Sequence, residues 1–327
     1  MTDLSTTYMG LKLKNPLIVS SSSLTNKISG VKNAAEAGAG AIVLKSLFEE
    51  QILAEMRKAE ESTPADYHPE ASDYLQNVSE NLQSAEYLQL IEGGKKEVDI
   101  PLIASLNCIS ESKWADYAKD VEAAGADGLE LNIAILPNFF DDNPEKIEQR
   151  VIEILKLVRS RISIPIAVKL GPYYTSIPAM VKKLEKAGAA SLVLFNRFYR
   201  PDIDLDKIKL TSAYRYSSPE EISQSLRWIG LLHQHVKCDL CGATGIFDGN
   251  GVIKQILAGA QAVQICSTLY INGIRQIGII KERMEYWMEQ HKYSSLDNFR
   301  GIMSQQSSKQ QKEYERLQYI KALVGIE

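Results

Sequence analysis

Apolar and small residues recur along the chain in an order that predicts alternating helices and strands. In four places a helical stretch ends in a small-glycine-small turn and continues directly into a short apolar strand. These segments are "AEAGAGAIVLK" (35–45), "EAAGADGLELN" (122–132), "EKAGAASLVLFN" (185–196) and "LAGAQAVQIC" (257–266), with the turn glycines at Gly38, Gly125, Gly188 and Gly259. Glycine readily adopts the left-handed conformation that ends many helices. Continuous Val/Ile/Leu runs are typical of strands buried on both faces of a parallel sheet.

Four further apolar runs alternate with these segments: "PLIVSSS" (16–22), "IPLIASLN" (100–107), "IPIAVKLG" (164–171) and "KCDLCGATG" (237–245). Eight strands separated largely by helical stretches predict a (β/α)₈ TIM barrel. Because no Pro/Gly/Ser-rich linker interrupts the series, we expect a single domain over residues 1–327. Two long excursions, 49–90 after strand two and 197–218 after strand six, are predicted to be lids over the barrel mouth. Residues 274–327 are expected to form terminal helices, with Ser295 capping a helix start at "SLDNFRG".

Composition narrows the classes of function. The 327 residues are 45% hydrophobic and 24% charged, with a formal net charge of −4, which gives no electrostatic reason to expect nucleic acid or an anionic membrane as a partner. The opening "MTDLSTTYMG" lacks a basic and an apolar signal-peptide region, and four cysteines are too few for a disulfide framework. We therefore expect a cytoplasmic protein.

Cys238 and Cys241 form a lone CxxC in an apolar, strand-like stretch. A metal or redox site of this type needs a second cysteine pair or a strand-to-helix setting. Cysteine is often simply buried, so the pattern favours a core position, and no metal site is predicted.

Polar residues collect at the ends of the predicted strands, where barrel enzymes place their active sites. They are Ser20–Ser22, Lys45–Ser46, Ser105, Asn107, Asn132, Lys169, Asn196, Thr244–Gly245 and Ser267–Thr268. Two lysines, three asparagines and several hydroxyls predict a donor-rich mouth for a flat, anionic ligand. The glycines and hydroxyls of "GATGIFDGNG" and "CSTLYING", each before a helix start, predict a phosphate site after the last two strands.

Eight short motifs follow one another along nearly the whole chain: "NPLIVSSS", "VLKSL", "LELN", "IAVKLGP", "LFN", "ATGIFDG", "AVQICSTLY" and "FRG". In these motifs and their order the sequence resembles the soluble dihydroorotate dehydrogenases, which are FMN-dependent barrels. The resemblance implies that Lys45, Ser46, Asn132, Lys169, Thr244, Gly245, Cys266 and Ser267 contact the cofactor. The strand-end residues Ser21, Ser22, Ser105 and Asn107 complete the predicted cofactor site. In that site Lys169 would lie at the N1/O2 edge of the flavin, where a cation stabilises negative charge on the reduced ring.

The resemblance also implies a substrate site that includes Lys45, Asn81, Asn132, Asn138 and Asn196, and Arg197, directly after Asn196, is added to it from its chemistry. The family's strand-four motif places a cysteine or serine base shortly after its asparagine, whereas this chain has "LNIAILPN", with Ile135 or Leu136 at that point. An aliphatic side chain cannot accept a proton. Tyr199 is therefore a candidate catalytic residue beside Lys169, and Tyr67 and His68 are weaker candidates. Arg197 suits an anionic substrate group.

Together these features predict an FMN-dependent oxidoreductase that acts on the CH–CH or C=C bond of a small, planar or pyrimidine-like substrate. Two alternatives remain open: an FMN-binding barrel without dehydrogenase activity, and a non-redox barrel enzyme acting on a phosphorylated metabolite. The chain has no cysteine cluster for an iron–sulfur centre, so the electron acceptor can be a separate electron-transfer partner. A homodimer is expected from the resemblance.

Overall fold

The computed structural model describes residues 2–50, 85–107, 111–135, 143–197, 201–212 and 216–307. Within these ranges the strands are β1 (Thr6–Tyr8), β2 (Leu11–Leu13), β3 (Leu17–Val19), β4 (Ala41–Val43), β5 (Leu47–Phe48), β6 (Leu102–Asn107), β7 (Gly128–Asn132), β8 (Ile166–Leu170), β9 (Ser191–Leu194), β10 (Pro201–Asp204), β11 (Lys209–Ser212), β12 (Asp239–Ala243) and β13 (Ala262–Ile265). The helices are α1 (Ile28–Glu36), α2 (85–97), α3 (Glu111–Ala123), α4 (Pro144–Arg159), α5 (Ile177–Lys186), α6 (Ile222–Leu232), α7 (Gly249–Ala258), α8 (Ser267–Asn272) and α9 (Gln276–Gln290).

Eight of the strands close into a parallel barrel. Around the barrel they follow the chain order β3, β4, β6, β7, β8, β9, β12 and β13, and β13 pairs back onto β3. Helices α1 to α7 occupy the successive connections, one between each barrel strand and the next. The predicted (β/α)₈ barrel is therefore confirmed, with all eight strands in the predicted segments.

Glycine ends the helices that precede four of the barrel strands. Gly38, Gly125, Gly188 and Gly259 have φ angles of 95°, 92°, 103° and 121°. Residues that carry a Cβ rarely adopt this backbone conformation. The repeat in the sequence therefore marks a real structural requirement, which is the reversal of the chain from each helix into the following strand.

The side chains of the barrel strands divide the hydrophobic core in two. One cluster lies inside the barrel and includes Ile18, Val43, Ile103 and Val193. The larger cluster includes the alternate strand residues and the apolar faces of the surrounding helices. This alternation follows from the strand period of two, and it decides which polar residues also point into the barrel.

A short antiparallel hairpin, β1–β2, contacts the amino-terminal end of the barrel. Tyr8 and Met9 belong to the interior cluster. The Tyr8 hydroxyl accepts a hydrogen bond from Ser191 Oγ at 3.0 Å, and the Met9 N–H donates to Asp239 Oδ2 at 2.7 Å. The hairpin was not predicted from the sequence, because its two strands have only three residues each.

The excursion after the sixth barrel strand contains the antiparallel hairpin β10–β11. Its cross-strand pair Ile203 and Leu210 is strongly exposed, as are Leu205 and Ile208 near the turn. Most of the excursion after the second barrel strand lies outside the described residues, so its role as a lid stays a prediction.

The carboxyl-terminal part continues with α9 and a 3₁₀ turn over Leu296–Asn298, which Ser295 caps as predicted. In the "FRG" motif, Phe299 is fully buried and packs against Trp287. Arg300 donates to the carbonyl of Ala260 and to Thr6 Oγ1, so this motif ties the terminal region to the amino-terminal side of the barrel. Residues 308–327 lie outside the described part.

The two cysteines of the CxxC motif are buried to different extents. Cys241 belongs to the barrel interior, as predicted for a core residue, and Cys238 is half-buried. Burial raises the pKa of both thiols, that of Cys238 to about 12. Among the described helices none is long and apolar enough to cross a membrane.

Candidate active site

An open pocket lies at the carboxyl-terminal ends of β3, β8, β9, β12 and β13. Its volume is about 710 Å³, counting the solvent at its mouth. Eight residues of the predicted cofactor and substrate sites line it: Ser21, Lys169, Asn196, Arg197, Thr244, Gly245, Cys266 and Ser267. The structure therefore gathers these eight on one side of the barrel mouth.

Lys169 is the buried cation of this pocket. Only 8% of the residue is exposed, and its ammonium donates to Gln264 Oε1 at 2.7 Å and to Ser20 Oγ at 3.1 Å. An ammonium has three protons, so these two bonds leave one to direct at a ligand or at the carboxylate of Glu130, whose Oε1 lies 3.6 Å from Nζ.

Two residues of this cluster, Glu130 and Gln264, were not predicted from the sequence, whereas Ser20 was predicted as a polar residue at a strand end. Glu130 and Gln264 precede Asn132 and Cys266 by two positions on the same strands. Because strand side chains alternate, both point into the barrel one layer below the predicted site. The spacing of two positions could have assigned Glu130 and Gln264 to the interior, but the apolar residues on either side of them obscured it.

Hydroxyl groups connect the pocket to β4 and β6. Ser21 Oγ accepts from the Ser46 N–H at 2.8 Å and lies 3.0 Å from Ser46 Oγ, which in turn is 2.7 Å from Ser105 Oγ. The Ser105 N–H donates to the hydroxyl of Tyr87, a buried residue of α2. Ser46 and Ser105 thus support Ser21 from behind and do not line the pocket.

Asn132 and Asn196 are joined at the mouth, where Asn196 Nδ2 donates to Asn132 Oδ1 at 2.9 Å. Lys45 and Asn107 end the neighbouring part of the barrel and are half-buried. They do not line the pocket itself. Ser22 caps the 3₁₀ turn Ser23–Thr25, accepting from the Leu24 N–H.

Ser267 supplies a hydroxyl donor at the predicted phosphate site. Its Oγ accepts two hydrogen bonds from Ser217, one from the backbone N–H at 3.0 Å and one from Oγ at 2.9 Å. With both lone pairs used, its own proton is left to donate to a ligand. Ser267 also begins α8, where the first backbone N–H groups lack acceptors within the helix. Ser217, at the end of the second excursion, was missed because nothing in the sequence brings it near strand eight.

Thr244 and Gly245 form a strained turn after β12, the strand next to β13. Both have positive φ, 69° and 77°, and the Thr244 hydroxyl donates to the carbonyl of Phe195 at 3.0 Å. A Cβ at Gly245 would lie 2.2 Å from the backbone nitrogen of Ile222. The glycine is thus required for packing against the start of α6, independently of any ligand.

Arg197 lines the pocket and is ion-paired. Its Nε lies 3.1 Å from Glu221 Oε2, and both side chains are largely buried. Glu221 belongs to the 3₁₀ turn Pro219–Glu221, so the ion pair joins the beginning of the connection between β9 and α6 to its end. The pair fixes the guanidinium at the rim.

Cys266 directly follows β13 and lines the pocket. Burial raises the pKa of its thiol, while the charge of Lys169 and a hydrogen bond with Ser22 act in the opposite direction. The thiol is therefore neutral at physiological pH.

The stretch after Asn132 carries no acid or base where it is described. Ile133 is buried, and Ile135 packs against the outer hydrophobic cluster between strands and helices. Several predicted residues lie outside the described part of the chain: Tyr67, His68, Asn81, Leu136, Asn138 and Tyr199. Their roles stay predictions.

Comparison with known proteins agrees with this architecture. Residues 3–288 match the family model for dihydroorotate dehydrogenase. A relative from Thermoplasma acidophilum, the catalytic subunit of dihydroorotate dehydrogenase B (NAD(+)), is 26% identical over 92% of this chain and 99% of its own. The corresponding subunit of Methanocaldococcus jannaschii is 25% identical over 83% and 88%. Dihydroorotate dehydrogenase A (fumarate) of Lacticaseibacillus paracasei is 32% identical over 53% of this chain and 61% of its own. Given the barrel, the pocket at its carboxyl-terminal end and a family match over most of its length, the chain belongs to the dihydroorotate dehydrogenase family.

Proposed function

We propose that the protein binds FMN in this pocket and transfers a hydride between the flavin and the CH–CH or C=C bond of a small, planar, pyrimidine-like substrate. The observation that carries the proposal is Lys169, a buried ammonium that keeps one proton beyond its two hydrogen bonds and opens into a pocket lined with hydroxyl donors. The carboxylate of Glu130 lies behind this ammonium at 3.6 Å, and a flavin that becomes anionic on reduction suits a cation and hydroxyl donors that face the pocket.

The residues around the pocket divide between the two ends of the cofactor. Thr244, Gly245, Cys266 and Ser267 would hold the phosphate, with the Ser267 hydroxyl and the start of α8 as donors. The ring would lie against Lys169 and Ser21, with the remaining predicted contacts coming from Ser22, Lys45, Ser46, Ser105, Asn107 and Asn132. When bound, FMN supplies the hydride chemistry itself.

The substrate would lie above the ring, near the joined amides of Asn132 and Asn196. Lys45 and Arg197 would bind its anionic group, and Arg197 is already held in place by Glu221. Asn81 and Asn138 are the further substrate contacts that we propose from outside the described residues. Tyr199 is the proposed proton carrier, because Ile135 has no lone pair and packs away against the outer cluster.

The aliphatic stretch supports a second, narrower candidate, in which the protein keeps the flavin but does not oxidise dihydroorotate efficiently. A different planar substrate, or a purely flavin-binding role, fits a site whose described residues after Asn132 offer no base. The same pocket would also suit a phosphorylated metabolite without any redox step.

We propose that the chain is one catalytic domain over residues 1–327 and acts as a homodimer. Two of the relatives above are named as catalytic subunits, and this supports an arrangement in which electrons leave through a separate electron-transfer partner. No cysteine pair beyond the core CxxC is available for a second redox centre in the described residues.

The experiment is to purify the protein gently and measure its visible spectrum and FMN content. We expect about one FMN per chain, photoreduction under anaerobic conditions, and reoxidation by one member of a panel of unsaturated planar acids and pyrimidines. A colourless protein that does not take up added FMN would contradict the proposal and favour the phosphorylated metabolite. FMN uptake without a reacting substrate would favour the flavin-binding role.

A further inference from the structure

Glu130 is a buried carboxylate in the barrel interior, one layer below the pocket. The residue is 1% exposed. Its Oε2 accepts a short hydrogen bond from Gln264 Nε2, while its Oε1 has no hydrogen-bond partner among the described residues and lies 3.6 Å from the ammonium of Lys169. A buried carboxylate is costly unless a nearby cation compensates it, and Lys169 is that cation.

Gln264 fixes the arrangement of the two charges. Its amide oxygen accepts from Lys169 at 2.7 Å and from Ser20 at 3.0 Å, and its amide nitrogen donates to Glu130. The amide therefore has only one useful orientation, with the oxygen toward the cation and the nitrogen toward the anion. Lys169 and Gln264 line the pocket, whereas Glu130 does not.

Two uncharged groups lie on the other side of the carboxylate. Below Glu130, toward the amino-terminal end of the barrel, lie the phenol of Tyr8 and the thiol of Cys241. Burial raises the pKa of both groups well above neutrality. The ammonium of Lys169 therefore faces a ligand in the pocket, and the carboxylate of Glu130 lies behind it. The electric field that the ligand experiences is weaker than that of an ammonium alone.

We propose that Glu130 is the counter-charge of Lys169 and lowers the reduction potential of the flavin held above it. The inference rests on the proposed FMN site. Glu130 does not touch the cofactor; it positions the ammonium through Gln264 and offsets part of its attraction for the reduced, anionic ring.

The first test compares the midpoint potential of bound FMN in the wild-type holoprotein and in Glu130→Gln. Gln keeps the shape and can still accept from Gln264, but it removes the negative charge. We expect the reduced form to be favoured by about tenfold, which is a rise of about 30 mV for a two-electron couple. Asp239→Asn is the matched control, because Asp239 is another interior carboxylate, at the amino-terminal end of the barrel. The midpoint potential of FMN bound to this variant should equal that of the wild type. An unchanged or lower potential in Glu130→Gln overturns the proposal.

The second test needs no flavin. Urea unfolding of the apoprotein is compared for Glu130→Gln, Lys169→Met and the double variant. If the two residues compensate each other, Lys169→Met unfolds at a lower urea concentration than the wild type, because its buried carboxylate is left unpaired. The double variant then recovers part of that loss of stability, since no unpaired carboxylate remains. Additive losses overturn the pairing. A wild-type protein that never binds FMN contradicts the proposed function and the redox role of Glu130, while this cycle still decides the pairing.

Discussion

Ser217 donates two hydrogen bonds to the same oxygen, Ser267 Oγ, from its backbone N–H and from its own hydroxyl. This double contact joins the end of the second excursion to the start of α8. It also turns the hydroxyl proton of Ser267 toward the pocket, where an anionic group would accept it.

Replacing Ser267 with Ala should weaken FMN binding without unfolding the protein. A hydrogen bond to a charged group contributes about 1.5–3 kcal/mol, so we expect the dissociation constant to rise by about tenfold to a hundredfold. Flavin fluorescence during reconstitution of the apoprotein measures it. Ser23→Ala is the control, because Ser23 contacts Tyr270 at an exposed position outside the pocket. Equal affinities in Ser267→Ala and the wild type would place the phosphate elsewhere.

A substitution at Gly245 would not answer the same question. Its added Cβ would collide with the backbone of Ile222, so loss of FMN in such a variant would reflect a displaced α6 as much as a blocked phosphate. The structure thus makes Ser267 the more informative position.

Arg197 should determine the affinity for an anionic substrate group. In Arg197→Ala we expect orotate, used as a planar anionic probe, to bind about tenfold or more weakly, since one charge-assisted contact is lost. Perturbation of the flavin spectrum during titration gives the dissociation constant. Lys183→Ala, at a solvent-exposed ion pair on α5, controls for general loss of positive charge. An unchanged orotate affinity would show that the guanidinium serves only its ion pair with Glu221.

The thiol of Cys266 should report whether the pocket is filled. Because burial raises its pKa, the reactive thiolate is scarce at neutral pH, and alkylation by iodoacetamide should be slow at pH 7 and accelerate as the pH rises toward and beyond 9. Added FMN should suppress the reaction at all pH values. Peptide mass spectrometry separates Cys266 from the deeply buried Cys241, which should stay unmodified. Rapid alkylation at pH 7, or no protection by FMN, would contradict the placement of Cys266.

The barrel could be predicted because each strand is a continuous apolar run and four of them follow a glycine turn. The same continuity concealed the second layer of the site. Glu130 and Gln264 are single polar residues within apolar strands, and only their even spacing from Asn132 and Cys266 assigns them to the interior. Ser217 could not be predicted at all, because its contact with Ser267 spans 50 positions and depends on the path of the excursion that ends at Ser217.

Dihydroorotate oxidation tests the meaning of the aliphatic stretch after Asn132. A positioned base contributes about 10²–10⁴-fold to such a reaction, and Ile135 cannot act as one. We therefore expect the wild-type protein to oxidise dihydroorotate slower than a family member with a cysteine base by a factor in that range. Stopped-flow reduction of the bound flavin under anaerobic conditions measures the rate.

The variant Ile135→Cys sharpens this test. Since the Ile135 side chain packs against the outer cluster, a cysteine there should point away from the substrate and leave the slow rate unchanged. A large gain would show that position 135 faces the ring after all. Fast reduction of the wild-type flavin by dihydroorotate, in contrast, would mean that another residue carries the proton, and Tyr199→Phe would then have to lower the rate by a similar factor if Tyr199 is that residue.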